Sequence, residues 1–528
     1  MRPPNLHLLK LLSLAGLATT SALAGTVNAA PQYQIYDIGV AQTGDSASQG
    51  FGASPGGIAV GRSLRSGGAQ AFNWTLGGGL VALPNLTGRA FCVANGANDN
   101  GITVGTGATT AFGSGRLPVM WQNGVASQLP LPSGQTNGDA TDVNASGVAV
   151  GSVNSGIAQR AVIYSGGTGT VITQTTPNGS FFFTAFGIND SGRIVGQGVN
   201  PNDAAVNVGI VYDMSTNTAF DVGALPNANG ALAFGVSNTG LVVGSSMFNQ
   251  GSGLPFIWSQ ANGIQPIPLP TGTSSGIARA VNSAGWVVGI SSSSFAIPFL
   301  YDGQATHRLA DLIPVGSGWD LSTNTSSSAL GISESGVIVG TGVRNGLTRA
   351  YAMVPLLVPT SAVSRKTHGS EGTFDIPLPL SGAPGVECRA GGAGGLHTFV
   401  VTFSNTVTSG SATLTSGTGA IAGTPIFSGN TMSFDVSGVT DVQTLTLTLN
   451  SVTDSFGQVL AATPISVHML TGDVNGNKTI NATDIGAVKG QSGLAATTTN
   501  FRADLDANGT VTSSDIGRVK ASSGNTLP

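Results

Sequence analysis

Charge is the scarcest property of this 528-residue chain: 8% of its residues are Asp, Glu, Lys or Arg, against roughly 25% in an ordinary globular protein. So few cations cannot neutralise a run of phosphates, which excludes nucleic acid as a partner. The 24 acids and 20 bases nearly cancel, and 40% of the residues are hydrophobic, so a disordered, self-repelling polymer is excluded too. Cysteine is almost missing: Cys92 and Cys388 are the only two. Packing must therefore hold the fold, since no disulfide framework can be drawn. A single bridge is permitted outside the cytoplasm, yet the two residues fall in different parts of the chain, and unpaired or buried thiols are expected. No apolar run reaches the roughly 20 residues of a membrane-spanning helix. Glycine is the opposite case: 79 glycines and 25 prolines, without the Gly-X-Y period of collagen, suggest many short strands joined by turns.

Residues 1–30 carry Arg2 and Lys10 ahead of an apolar stretch over 11–23, then Val27-Asn28-Ala29-Ala30. That order is a secretory signal peptide, cut after Ala29 or Ala30. The expectation is a protein that is secreted, extracellular or at the cell surface, with no membrane span once the leader is gone.

One segment recurs seven times between residues 50 and 340: an Asn/Asp/Ser turn ending in glycine, two or three apolar residues, then a closing glycine. Asn98-Asp99-Asn100-Gly101-Ile102-Thr103-Val104-Gly105 is one copy, and the closing glycines Gly61, Gly105, Gly151, Gly196, Gly244, Gly289 and Gly340 are spaced by 44, 46, 45, 48, 45 and 51 residues. After most copies comes an apolar strand ending in an aromatic: Trp74, Trp121, Tyr164, Tyr212, Trp258 and Tyr301. A further short strand gives about four per unit, the size of a propeller blade. The stretch Tyr33-Gln34-Ile35-Tyr36-Asp37 reads like the last strand of a unit, while the seventh unit lacks one. If the first strand completes the last unit, no sheet edge stays open, so the expected architecture over 31–357 is a seven-bladed β-propeller.

These copies resemble the extracellular HAF repeat family, whose Ile-Asn-x-x-Gly-x-Val-Val-Gly turn precedes an Ala-Phe-aromatic strand; Ile188-Asn189-Asp190-Ser191-Gly192-Arg193-Ile194-Val195-Gly196 is the nearest copy. The resemblance implies a secreted repeat protein and carries over no active residue.

Catalytic groups are few. Asp99 and Asp190 could be drawn as a carboxylate pair, but other copies hold residues such as Ala145 and Ser283 at the same turn position, which makes them turn formers. The once-per-unit aromatics read as core or inter-blade packing before sugar platforms. Residues 31–357 hold one histidine, His307, and no lysine, and no Gly-x-Ser-x-Gly accompanies it. No catalytic or organic cofactor residue is assigned.

From residue 358 to 470 the pattern turns to period-two alternation, as in Thr444-Leu445-Thr446-Leu447-Thr448-Leu449 and at Met432, Phe434 and Val436. Half-buried antiparallel strands of this kind fit an immunoglobulin-like β-sandwich without its cysteines. His368, Glu387, Cys388, Arg389 and His397 could be grouped as a metal site, though no ligand spacing supports that.

Residues 471–528 contain two twelve-residue loops starting 31 residues apart, at Asp473 and Asp504. Oxygen side chains stand at positions 1, 3, 5 and 12, and position 7 offers its carbonyl, as a hard cation requires. A short helical segment follows each loop, with apolar residues three apart: Ile485 and Val488, then Ile516 and Val519. The duplicated loop-helix resembles a type I dockerin. That resemblance implies two Ca2+ ions, held by Asp473, Asn475, Asn477, Thr479 and Asp484 and by Asp504, Asp506, Asn508, Thr510 and Asp515, with Asn481 and Thr512 acting through water. It also implies a cohesin-type domain of a scaffold or cell-surface protein as partner, read by Ala482, Thr483, Ser513 and Ser514. Lys478 stands where the first loop would have glycine, which points to a weaker or strained site.

The leading expectation is a secreted, non-catalytic modular protein: a propeller that binds a ligand, with polysaccharide as one candidate, a sandwich spacer, and a calcium-binding, EF-hand-like dockerin. Two alternatives are an extracellular carbohydrate-active enzyme, a glycoside hydrolase or lyase, and a purely structural surface protein. Two facing carboxylates would be needed for glycoside hydrolysis, and the scarcity of acids over 31–357 weighs against it.

Overall fold

The computed structural model describes residues 30–111, 113–156, 159–248, 253–392 and 395–528. The expected leader, apart from Ala30, lies outside the described residues. The rest is mainly β, with two short α-helices near the C-terminus.

Each repeat copy is an antiparallel meander. The seven first strands are Ala47–Ala53, Phe91–Ala97, Asn137–Val143, Phe181–Ile188, Gly230–Val236, Ser275–Val281 and Ser328–Ile332. The repeat turn leads into a second strand that contains the closing glycine and runs three or four residues beyond it, and the aromatic-tipped segment forms the third. In the last unit, Tyr33–Asp37 pairs antiparallel with Leu347–Pro355, so the beginning of the described chain supplies the strand this unit lacks. No individual sheet closes on itself.

The turn residues join units as well as making turns. The Asn98 side-chain carbonyl accepts the Ile102 amide at 3.0 Å, while its amide donates to the Asn144 carbonyl of the next unit at 2.9 Å. Asn144, Asn189 and Asn282 repeat this double role. Asp99 accepts the Ser54 hydroxyl at 2.6 Å and the Gly56 amide at 2.9 Å, and Asp190 accepts the Ala145 amide and the Asn238 side chain, both at 2.8 Å. These acids are staples between neighbouring units. His307 pairs with Asp302 of its own hairpin at 2.8 Å.

Apolar clusters bridge consecutive units, and one of them joins the last to the first: Val337, Val339, Ala350 and Val354 pack with Ala59, Phe72 and Trp74. Trp74, Trp121, Tyr164, Tyr212 and Trp258 are buried and Tyr301 is half-buried, so these aromatics pack the units. Cys92 and Cys388 are free and buried.

Two facing sheets follow. One runs Gly372–Leu378, Pro359–His368, His397–Phe403, Thr431–Ser437, Ala420–Ser428; the other runs Gly385–Glu387, Thr463–Met469, Gln443–Asp454, Val407–Ser416. Leu445, Leu447 and Leu449 from one sheet and Met432, Phe434 and Val436 from the other share a single core. Asn405 and Gln458 both donate to the Pro355 carbonyl at 2.8 Å, which fixes this part directly against the repeats.

Helices α1 (Ala482–Gly490) and α2 (Ser513–Ala521) end the chain. Val488 and Val519 are buried in a small core with Ile480, Leu505 and Val511, against which Ile485 and Ile516 pack.

Candidate metal centre

Each loop wraps its first aspartate in main-chain amides. Asp473 accepts Gly476, Asn477 and Lys478 at 2.9, 3.1 and 2.7 Å; Asp504 accepts Asn508 and Gly509 at 3.2 and 2.8 Å. The twelfth residue of each loop lies one turn into the helix. Asp484 accepts the Asn481 amide at 3.1 Å and Asp515 the Thr512 amide at 2.7 Å, which closes a capping box at each helix start. Asn481 and Thr512, expected to act through water, are thus the N-caps of α1 and α2.

Asp473, Asp484, Asp504 and Asp515 are all fully buried. Burial lifts the Asp473 carboxyl above its usual range, and the charge on Asp484 adds to the rise. Buried carboxylates are costly unless something positive faces them. Among the described residues no lysine or arginine pairs with these four; Arg518 approaches only Asp506, at 3.8 Å. In the second loop the carboxylate oxygens of Asp504, Asp506 and Asp515 converge to within 4.8 Å. Converging oxygens without a counter-charge fit a hard divalent cation. A Ca2+ ion would supply that charge, with the oxygen side chains at positions 1, 3, 5 and 12 as its candidate ligands. Asn475 and Asn477 are exposed on the first loop, as is Asn508 on the second.

Lys478 takes the left-handed conformation, φ 70°, where its counterpart Gly509 has φ 101°. The expected irregularity of the first loop is therefore a residue held where glycine is favoured. Ala482, Thr483, Ser513 and Ser514 lie exposed on the first turns of the helices. The Ser514 hydroxyl donates to Asp506 at 2.9 Å, tying this surface to the loop.

The second loop is also anchored from outside. His368, fully buried at the end of Pro359–His368, places Nδ1 2.8 Å from Asp504 Oδ2, while its Nε2 faces Arg389 Nη1 at 3.2 Å. Arginine can only donate, so Nε2 accepts and the proton sits on Nδ1, which donates to Asp504. Burial lowers the His368 pKa, in keeping with a neutral ring. Behind it, Arg389 grips Glu387 through Nε and Nη2 at 2.9 and 2.8 Å, and Ser364 donates to Glu387 at 2.5 Å. Burial alone would raise the Glu387 carboxyl, yet the Arg389 guanidinium holds it down at about 2. Phe374 and Phe501 stack at 5.3 Å beside this chain of contacts. Of the five residues that could be grouped as a metal site, His368, Glu387 and Arg389 meet as this anchor. The Cys388 thiol faces the Arg502 carbonyl at 3.6 Å, and the His397 Nδ1 has no hydrogen-bond partner among the described residues. Nothing local in sequence marks His368, because it reaches Asp504 across 136 residues.

A family model described as the dockerin type I domain matches residues 471–522. This segment is a dockerin type I domain, which makes the chain a modular calcium-binding protein with a cohesin partner, of the kind assembled outside the cell or at its surface. No helix among the described residues is long and apolar enough to cross a membrane. No curated protein matches the sequence. Among solved structures, an oligogalacturonate lyase from Vibrio parahaemolyticus aligns at 9% identity over 61% of this chain and 93% of its own, with a TM-score of 0.42. A gluconolactonase from Xanthomonas campestris aligns at 10% identity over 62% and 96%, TM-score 0.30. A prolyl endopeptidase aligns at 12% over 69% and 57%, TM-score 0.35. These likenesses are too loose to carry an argument about activity.

Proposed function

We propose that the chain is a secreted, non-catalytic binding protein of three parts. Residues 31–357 would form a seven-bladed β-propeller of HAF-type repeats that presents a ligand site. Residues 358–470 would form an immunoglobulin-like spacer, and residues 471–528 a dockerin that binds two Ca2+ ions through the ten ligands named above. Ala482, Thr483, Ser513 and Ser514 would face the cohesin-type partner.

The observation that carries this reading is the pair of capped loops with four fully buried carboxylates, since that charge is uncompensated until a cation binds. For the repeats, support comes from the strand Tyr33–Asp37 seated on the last unit and from the cluster joining last to first. A binding role over a hydrolytic one is supported by the central cavity, whose lining includes one carboxylate, Asp142, where hydrolysis of a glycoside calls for two.

The test is calorimetry of the full chain with calcium and with chelator, followed by a glycan array and a polysaccharide-hydrolysis screen. We expect two calcium equivalents, a calcium-dependent complex with cohesin, and no turnover. Chelator that leaves the unfolding profile untouched would sink the calcium reading; turnover lost in Asp142→Asn would replace binding with catalysis.

A further inference from the structure

The first strand of every repeat unit carries a bulge, and the bulges fall at equivalent places: the register slips between Gly50 and Gly52, Ala94 and Gly96, Ala140 and Asp142, Ala185 and Gly187, Ala233 and Gly235, Ala278 and Ala280, and Ala329 and Gly331. A bulge re-aims one side chain out of the ladder. The seven re-aimed residues all line one cavity of about 270 Å³. Three are phenylalanines, Phe51, Phe186 and Phe234, and one is Leu330. Asn95 and Thr141 complete the apolar and polar sides, and the seventh is Arg279.

Beside these positions the chain is kept small. A Cβ on Gly52 would strike the Asn95 carbonyl, and one on Gly235 would come within 2.8 Å of the Arg279 carbonyl. The repeat therefore fixes the neighbours by close approach and leaves the bulged residue free to differ from unit to unit.

Most polar groups here are spent on neighbouring units. The Asn95 amide donates to the Ala140 carbonyl at 2.8 Å and the Thr141 hydroxyl to the Ala185 carbonyl at 2.9 Å. Asp142 accepts the Val143 and Ile188 amides at 2.8 and 3.0 Å. Arg279 differs. Its Nε is buried with no hydrogen-bond partner among the described residues, and its guanidinium lies 4.3 Å above the Phe234 ring. Among the described residues it makes no ion pair, and burial lowers its pKa with no acid offsetting the effect. An arginine stays protonated in a protein, so its charge is open to an anion entering the cavity, whose one lining carboxylate, Asp142, is already engaged by two main-chain amides.

We propose that this cavity binds a small carboxylate carried on a ring-sized body, with Arg279 gripping the carboxylate and Phe51, Phe186 and Phe234 covering the ring. One guanidinium with no second cation suits a singly charged planar anion, which it can hold by two parallel hydrogen bonds. The volume lies just below the roughly 300 to 1,000 Å³ of drug-sized sites, so the occupant is a single ring or the last residue of a chain. This proposal rests on the ligand-presenting reading of residues 31–357 and specifies it.

The experiment titrates the full chain with glucuronate, benzoate, glucose and inorganic phosphate, using wild type, Arg279→Gln, Arg279→Lys and the control Arg116→Gln, whose arginine lies outside this cavity and pairs with Asp139 at 2.6 Å. We expect glucuronate or benzoate to bind in preference to glucose and phosphate. Arg279→Gln should weaken that binding by roughly tenfold or more, with Arg279→Lys in between, Arg116→Gln equal to wild type, and unchanged melting curves. Carboxylates that fail to bind, bind Arg279→Gln equally well, or bind more weakly than phosphate would overturn the proposal. Glycans captured on an array by a chain that ignores these carboxylates would reject this site and leave the ligand-presenting reading standing; no capture of any kind would reject both.

Discussion

At residue scale, the two loops of the dockerin segment differ most at position 6. Lys478 sits at φ 70° because the loop must bring the Lys478 amide to Asp473 at 2.7 Å. For a residue with a Cβ that conformation costs about 1 to 2 kcal/mol. Lys478→Gly should recover about 1 kcal/mol and strengthen the first site by roughly fivefold, read as the weaker of two calcium transitions by calorimetry. The loss of the Lys478 bond to the Pro528 carbonyl, an exposed contact, is too small to cancel this. His368 shows the opposite kind of control. It leaves the loop sequence untouched and holds Asp504 from another part of the chain.

At the scale of the element, the closing glycine of each repeat is set by crowding. Gly151 faces Asp139 across the bulged pair of strands, and a Cβ would overlap the Asp139 carbonyl; Gly61, Gly105, Gly196, Gly244, Gly289 and Gly340 meet the same obstacle. The turn glycine Gly147 answers a different demand, φ 79°, with only the tip of Ile102 nearby. Gly151→Ala should therefore destabilise by about 3 kcal/mol or more, through forced separation of two strands. Gly147→Ala should cost only the roughly 1 to 2 kcal/mol of a left-handed residue. Equilibrium denaturation of the two variants separates the causes; equal losses would refute the distinction.

At the scale of the molecule, the dockerin is fused to the sheets before it. Gly369 and Gly509 pack so closely that a Cβ on Gly369 would run into the Asn508 carbonyl, and the Leu505 carbonyl accepts the Ala390 amide at 2.7 Å. Calcium should accordingly raise the melting point of residues 359–528 as one block. Acid should lower it. Glu387, held down at about 2, contributes stability that is present above its ordinary pKa of 4.5 and is lost as pH falls through that value towards 2. His397, pushed down to about 4 by burial and by the Lys366 and Arg389 charges despite Glu387, stays neutral in the folded chain. Its cost on charging appears as pH falls from about 6.5 towards 4. In saturating calcium the C-terminal transition should fall between pH 7 and pH 4, and His397→Gln should flatten the upper part of that fall; an unchanged slope would remove His397 as its source.

What could be read from residues alone was whatever repeats or counts. Seven spaced glycines gave the units, Thr/Leu alternation gave the paired sheets, and oxygen side chains at fixed loop positions gave the candidate metal loops, because each signal is local and its geometry is imposed by the backbone. Tertiary structure decided what depends on distant chain meeting. His368 reaches Asp504, Asn98 staples Asn144, and a bulge no local pattern announces turns Arg279 into a shared cavity. Such contacts are chosen by the packing of whole units, and the same scarcity of charge that excluded nucleic acid leaves one arginine there without an ion pair among the described residues.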